Sequence, residues 1–395
     1  MRIDFDYSCG WNKFLLNLGG FWPKRQSSFI GKHWPLINAA LVFVVIIIPR
    51  FAAMSLFWNE VDAFVQSFTT QLAFMSVFFK LIVLQLGNQV LVDLTSMMEA
   101  NLSVELTKQQ YAPVFKAAKF GRTISTIVAL SFVCVVITGV ISLKLYHLDS
   151  LYIKNPDPRL SVDFFFVAYM PFDTTNIVSY ATIFLLQLYV SVMSTGIHLI
   201  LDSFVVMLIL HVCGQLELIQ LSLTQLGGNV AQDRKRFQAV LKSIVRKHQS
   251  VCQFVNDLEK LFNFPWFVEL VSCTLMFCFQ GYNVLKLLHN DQSGVFQIGF
   301  IIFSTFGILT QFLLNCWAGE CLISQSSKVG YAFYCSKWYE LRPSEARSLM
   351  IMGFQKTRPL KLSAWKFSTL SVKLFLQVMK TSFSYLSVLL VVTDF

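Results

Sequence analysis

The chain has 395 residues, of which 55% are hydrophobic, 15% aromatic and only 14% charged, with a net charge of +10. That is far more apolar than a soluble domain, so the composition points to a polytopic membrane protein. The positive charge does not argue for nucleic acid, because basic loops facing an anionic inner leaflet are ordinary for membrane proteins.

Taken from the start, residues 1–33 mix Arg2, Asp4, Lys13, Lys24 and Arg25 with short apolar runs, so no cleaved signal is expected. Apolar stretches near 34–57, 64–86, 123–145, 175–198, 266–288, 296–317 and 368–392 are each long enough to cross the bilayer. The expected fold is therefore an all-α membrane protein with seven transmembrane helices. Span four stays apolar through "LILDSFVVMLIL", so its helix is expected to project past the bilayer.

Of the 32 Lys and Arg residues, Arg50, Lys80, Lys373 and Lys380 fall within spans. Only Lys144, Lys154, Arg159 and Lys286 lie in loops opposite the N-terminus; the rest occupy the N-terminal segment and the loops on its side. The positive-inside rule then predicts a cytoplasmic N-terminus and an extracellular C-terminus. A rhodopsin-type receptor has the reverse orientation, and the one Asp-Arg pair, Asp233-Arg234, lies mid-loop rather than after span three.

Within span one, Arg50 follows Pro49; it is expected to snorkel outward or to pair with Glu60 or Asp62. The six histidines (33, 147, 198, 211, 248 and 289) show no i, i+3 or i, i+4 pair, so no metal site or cofactor is expected. Gly227-Gly228 reads as a helix break rather than a phosphate loop. No catalytic constellation is visible, and the chain is not expected to be an enzyme. Odd-numbered spans and unequal loops also lack the two similar halves of a transporter. All nine cysteines fall in spans or on the predicted cytoplasmic side, where no disulfide framework is expected.

Beyond Gly228, the apolar positions Phe237, Val240, Leu241, Ile244, Val245, Val251, Val255, Leu258 and Phe262 recur near helical spacing, with Lys242, Arg246, Lys247 and Lys260 between them. Such a helix could lie on lipid headgroups or pack against partner helices, and "LELIQLSLTQL" ahead of it favours packing.

The last loop and span carry a specific pattern: Gly319, Ser324 to Ser327, Tyr331, Tyr334, Trp338, Tyr339, Gln355-Lys356 and Pro359-Leu360, then "SFSYLSVL". With the early "LGGFWP" (Leu18 to Pro23), this order resembles the insect odorant receptor family. The absence of a large insertion in 199–265 points to a tuning receptor rather than the shared co-receptor. The Val391-Val392 ending, without the gustatory family's Gln-Phe, points away from that relative.

The resemblance implies an odorant-gated, nonselective cation channel in the plasma membrane of a sensory dendrite or cilium. It would bind a small volatile and assemble with the odorant receptor co-receptor in a heterotetramer, among membrane lipid. It divides the chain into a cytoplasmic N-terminal segment (1–33), spans one to four with the ligand pocket (34–198) and a cytoplasmic helical anchor loop (199–265). Spans five and six (266–317), a cytoplasmic anchor or linker helix (318–367) and a pore-lining span seven (368–395) complete it. Gustatory-type gating and second-messenger signalling are the alternative functions.

On the last span Lys373, Gln377, Lys380, Ser384, Ser387 and Val391 recur every three or four residues, with Thr381, Val388 and Val392 alongside, which gives a wet stripe tapering to valines. A pore helix needs such a face, polar where water stands and apolar where a constriction can dewet. The other reading is a polar seam packed within the subunit. Lys380 is expected in a wide vestibule or turned away from the cation path.

For an uncharged ligand, candidate contacts are Phe74, Phe78, Thr138, Gly139, Ser142, Tyr180, Phe184, Phe303 and Phe306. No acidic residue is expected on the inward faces of these spans, which argues against an ammonium ligand.

Overall fold

The computed structural model describes residues 1–24, 28–145, 160–161, 164–170, 176–226, 234–289, 295–353 and 359–392. His147, Lys154, Arg159, Gly227, Gly228, Asp233, Gln355 and Lys356 lie outside the described residues, as do the side chains of Ser142 and Val392. Among the described residues, seven helices are long and apolar enough to cross a membrane.

Helix α1 (Phe5–Leu18) starts at Asp4, whose carboxylate accepts the Asp6 N–H at 3.1 Å. It buries Ser8, Cys9, Asn12 and Leu16, one face of the helix. Span one comprises α2 (Phe29–Leu41), a π-helical turn over Val42–Ile47, and α3 (Ile48–Leu56). Pro49 follows that turn directly and cannot donate a backbone hydrogen bond. Gln71 Nε2 donates to the Ile47 carbonyl at 3.3 Å, adding a bond from the neighbouring span at the irregular turn.

The "LGGFWP" stretch forms the corner between α1 and α2. Gly20 has φ of +77°, and a Cβ there would meet the Trp34 indole at 2.9 Å. The same indole N–H donates to the Gly19 carbonyl at 2.8 Å, and Trp22 packs edge-on against Phe204 at 5.6 Å. The motif is thus a corner that plugs its tryptophan into the core.

Five long helices follow: α4 (Val61–Ser103), α5 (Lys108–Leu145), α6 (Ile177–Thr224), α7 (Arg234–His289) and α8 (Val295–Cys335). Helix α6 runs past span four as one piece, and every residue from Ile200 to Leu216 is buried. A helix apolar all round is stable only when surrounded, and α1, α5, α7 and α8 surround this stretch.

Helix α7 joins the amphipathic segment and span five without interruption, with Pro265 inside it. The predicted apolar face is packed: Phe237, Ile244, Val251, Val255, Leu258 and Phe262 are buried, while Lys242, Arg246 and Lys260 are exposed.

After α8 come a short 3-10 turn (Trp338–Glu340) and α9 (Pro343–Gly353). Strands β1 (Leu160–Ser161) and β2 (Ala168–Tyr169) pair antiparallel, Leu160 with Tyr169. The antiparallel hairpin of β3 (Ser363–Ala364) and β4 (Ser368–Thr369) leads into the last helix, α10 (Val372–Val392). Trp365 and Lys366 take left-handed conformations in its turn, at φ of +46° and +57°. Trp365 packs edge-on against Phe264 and Phe267 on either side of Pro265, and its N–H donates to the Asn263 carbonyl at 3.2 Å. Two further motif residues act here. A Cβ on Gly319 would lie 2.5 Å from the Leu370 carbonyl oxygen, and Ser326 Oγ accepts the Leu360 N–H at 2.9 Å.

Candidate ligand cavity and last-helix face

A cavity of about 280 Å³ lies between α4, α5, α6, α7 and α8, closed on one side by the aromatic segment Phe165-Phe166. That segment is held in place twice: Gln187 Oε1 accepts the Phe166 N–H at 3.1 Å, and the Arg50 guanidinium stacks 4.8 Å from the Phe166 ring. Arg50 is 1% exposed and donates to the Ser67 carbonyl and to Thr70 Oγ1. The outward-snorkelling expectation is thereby corrected: span two offers acceptors that make burial tolerable. Asp62 instead accepts from the Tyr282 hydroxyl at 2.6 Å and pairs with Lys286 at 3.3 Å.

Of the sequence-predicted contacts, Phe74 and Gly139 line this cavity. Phe78 stacks on Phe43 at 5.4 Å, away from the lining. Thr138 is also outside it and turns its hydroxyl to the Cys134 carbonyl at 2.8 Å. Tyr180 and Phe184 form a second aromatic row behind the wall, Tyr180 stacked on Phe164 and Phe184 edge-on to Phe165. Phe303 and Phe306 are exposed on the outside of α8, which presents Ser304, Gly307 and Gln311 to the cavity instead.

Polar residues that the sequence reading passed over make up much of the lining: Gln66, Thr69 and Thr70 on α4, Ser191, Ser194, Thr195 and His198 on α6. Their signal was present as recurrence every three or four positions within otherwise apolar spans.

A charge cluster adjoins the cavity at His198 and Gln311. Lys80 is 2% exposed, and its Nζ donates to both Asp202 oxygens at 2.7 Å and sits 3.3 Å from Glu269 Oε2. Gln311 Nε2 donates to Asp202 at 3.0 Å, and Asn315 Nδ2 to Glu269 at 3.1 Å. His198 Nδ1 lies 3.2 Å from the Lys80 nitrogen. Asp202 and Glu269 lie outside the cavity lining, and one lysine and two amides contact them in their buried positions. With the lysine already between them, neither carboxylate is a free counter-ion for an ammonium ligand.

The last helix is two-faced. Leu374, Val378 and Ser382 are buried; Leu386 fits against Gly281, and Ser382 Oγ donates to the Thr274 carbonyl at 2.9 Å. Gln377, Lys380, Ser384, Val388 and Val391 are exposed, Val391 to 76%. The wet stripe therefore does not pack within the subunit.

Known proteins share this architecture. The family described as 7tm Odorant receptor matches residues 60–383. Odorant receptor 13a of Drosophila melanogaster is 27% identical over 48% of this chain and 47% of its own length. The odorant receptor coreceptor of Aedes aegypti is 25% identical over 38% of this chain and 31% of its own. The chain spans about half the length of the curated relatives it matches. The structure of the insect olfactory receptor OR5 from Machilis hrabei in complex with eugenol superposes with a TM-score of 0.79 at 16% identity, covering 99% of this chain and 100% of that one.

Proposed function

Because the chain belongs to the insect odorant receptor family, nearer its tuning receptors than its co-receptor, we propose that it is a subunit of an odorant-gated, nonselective cation channel. A small uncharged volatile enters the cavity among α4 to α8, and a central pore lined by α10 opens. The subunit works in the plasma membrane of a sensory neuron dendrite or cilium, N-terminus inside, in a heterotetramer with the co-receptor.

The observation that carries this reading is the exposed stripe of α10. A single subunit leaves Gln377, Ser384, Val388 and Val391 facing outward, and a ring of such helices would have water along its polar part and a valine constriction at its end. Lys380 shares this exposed face and belongs to the wider, inner part of the path. Exposed aromatics at the other end, Tyr331, Tyr334, Tyr339 and Phe367 among them, support an anchor between subunits.

Excised membrane patches test direct gating. Odorant applied to patches in nucleotide-free solution should evoke cation current. Current in whole cells that never appears in patches would instead favour a receptor acting through second messengers.

A further inference from the structure

Most hydroxyls around the cavity are already used by their own helices. Thr69 donates to the Val65 carbonyl at 2.7 Å, Ser191 to Gln187 at 2.6 Å, Thr195 to Ser191 at 2.9 Å and Ser304 to Ile301 at 2.9 Å. Ser194 is the exception: it is 2% exposed and its Oγ has no hydrogen-bond partner. One turn further along α6, on the same face, lies His198.

The histidine's tautomer follows from its neighbour. A lysine ammonium carries hydrogens and no lone pair, so the ring nitrogen 3.2 Å from Lys80 Nζ must accept, leaving Nδ1 bare. The ring proton then sits on Nε2, for which the described residues provide no hydrogen-bond partner, on a side chain that is half-buried and lines the cavity.

Two donors with no acceptor among the described residues thus stand four residues apart on one helix face, in a cavity that Phe74, Val77, Val140 and Ile308 also line. We propose that Ser194 Oγ–H and His198 Nε2–H form a donor pair for the oxygen of a carbonyl-bearing volatile, so that the receptor prefers aliphatic ketones, aldehydes or esters over alcohols and hydrocarbons. This deepens the odorant reading of the cavity and rests on it. A carbonyl oxygen has two lone pairs and can accept from both groups at once, and the carbon chain fills the apolar remainder. An alcohol hydroxyl accepts less well, and its own hydrogen would need a separate acceptor such as Gln280 Oε1 on α7, which has no partner among the described residues.

The test uses the full chain expressed with the co-receptor, challenged with a ketone, the matching ester, the alcohol and the alkane of one chain length. The carbonyl compounds should be the most potent. Ser194→Ala should raise their half-maximal concentrations roughly 3- to 10-fold, the span that loss of one neutral hydrogen bond produces, while alkane potency moves less than about twofold. His198→Leu should do the same; should it fail to reach the surface for want of its Lys80 contact, Ser194→Ala and the ligand series decide alone. An alcohol preference, or an equal shift for ketone and alkane in Ser194→Ala, would overturn the donor pair. Gly139→Phe, at a glycine with open space beside it, separates the two levels. If it abolishes every response while the chemical series is flat, the cavity stands and the donor pair falls. If it leaves responses intact, both fall.

Discussion

Lys80 shows how much a single residue can hide. In the sequence it is one basic residue inside span two, and nothing nearby balances it. In the fold its partners come from helices more than a hundred residues away, Asp202 on α6 and Glu269 on α7. Removing one member leaves a buried charge unpaired, which costs about 3–5 kcal/mol. Lys80→Met should therefore lower surface expression and detergent thermal stability sharply, and the triple change Lys80→Met, Asp202→Asn, Glu269→Gln should recover part of the loss. A triple variant whose loss equals the sum of its singles would show that the charges are not coupled. The cavity was legible at this scale only in part. Phe74 and Gly139 were picked for bulk or smallness on an apolar face, and Phe303 and Phe306 by the same logic, yet helical phase turns the last two outward. Ser194 and His198 carried the better signal, because a polar residue within an apolar span needs a reason.

Among elements, the amphipathic stretch of α7 was the easiest to read, since Phe237 to Phe262 kept one phase and the fold buried that phase. The β3–β4 hairpin was not legible, because Trp365 and Lys366 adopt backbone conformations that neither favours by itself. Its anchoring glycine, by contrast, was visible as a motif without its cause. Gly319→Val should push the Leu370 backbone off α8 and destabilise the protein by about 1–3 kcal/mol, as overpacking does; a drop in thermal midpoint of purified receptor measures it. For α10, cysteines placed at 384, 388 and 391 should alter current when modified by a water-soluble thiol reagent, and a cysteine at 378 should not. Uniform silence along the helix would move the pore elsewhere. Cys134 and Cys335 are exposed and should be replaced first, whereas Cys9 is buried and its thiol is pushed up to about 12, so it stays unreactive at neutral pH.

For the whole molecule, the count of seven spans followed from apolar length alone, and the basic loops predict a cytoplasmic N-terminus. Epitope tags on flexible linkers test that orientation: the N-terminal tag should bind antibody only after permeabilisation, the C-terminal tag on intact cells. What length and charge could not convey is that α6 serves two regions at once. Its first half supplies Ser191, Ser194 and His198 to the cavity, and its second half, Ile200 to Leu216, is enclosed by the bundle. If the cavity holds the odorant, preference can change through a few small polar residues on about two turns of one rod, where a hydroxyl either bonds its own backbone or is left for a visitor. The enclosed half tolerates far less substitution.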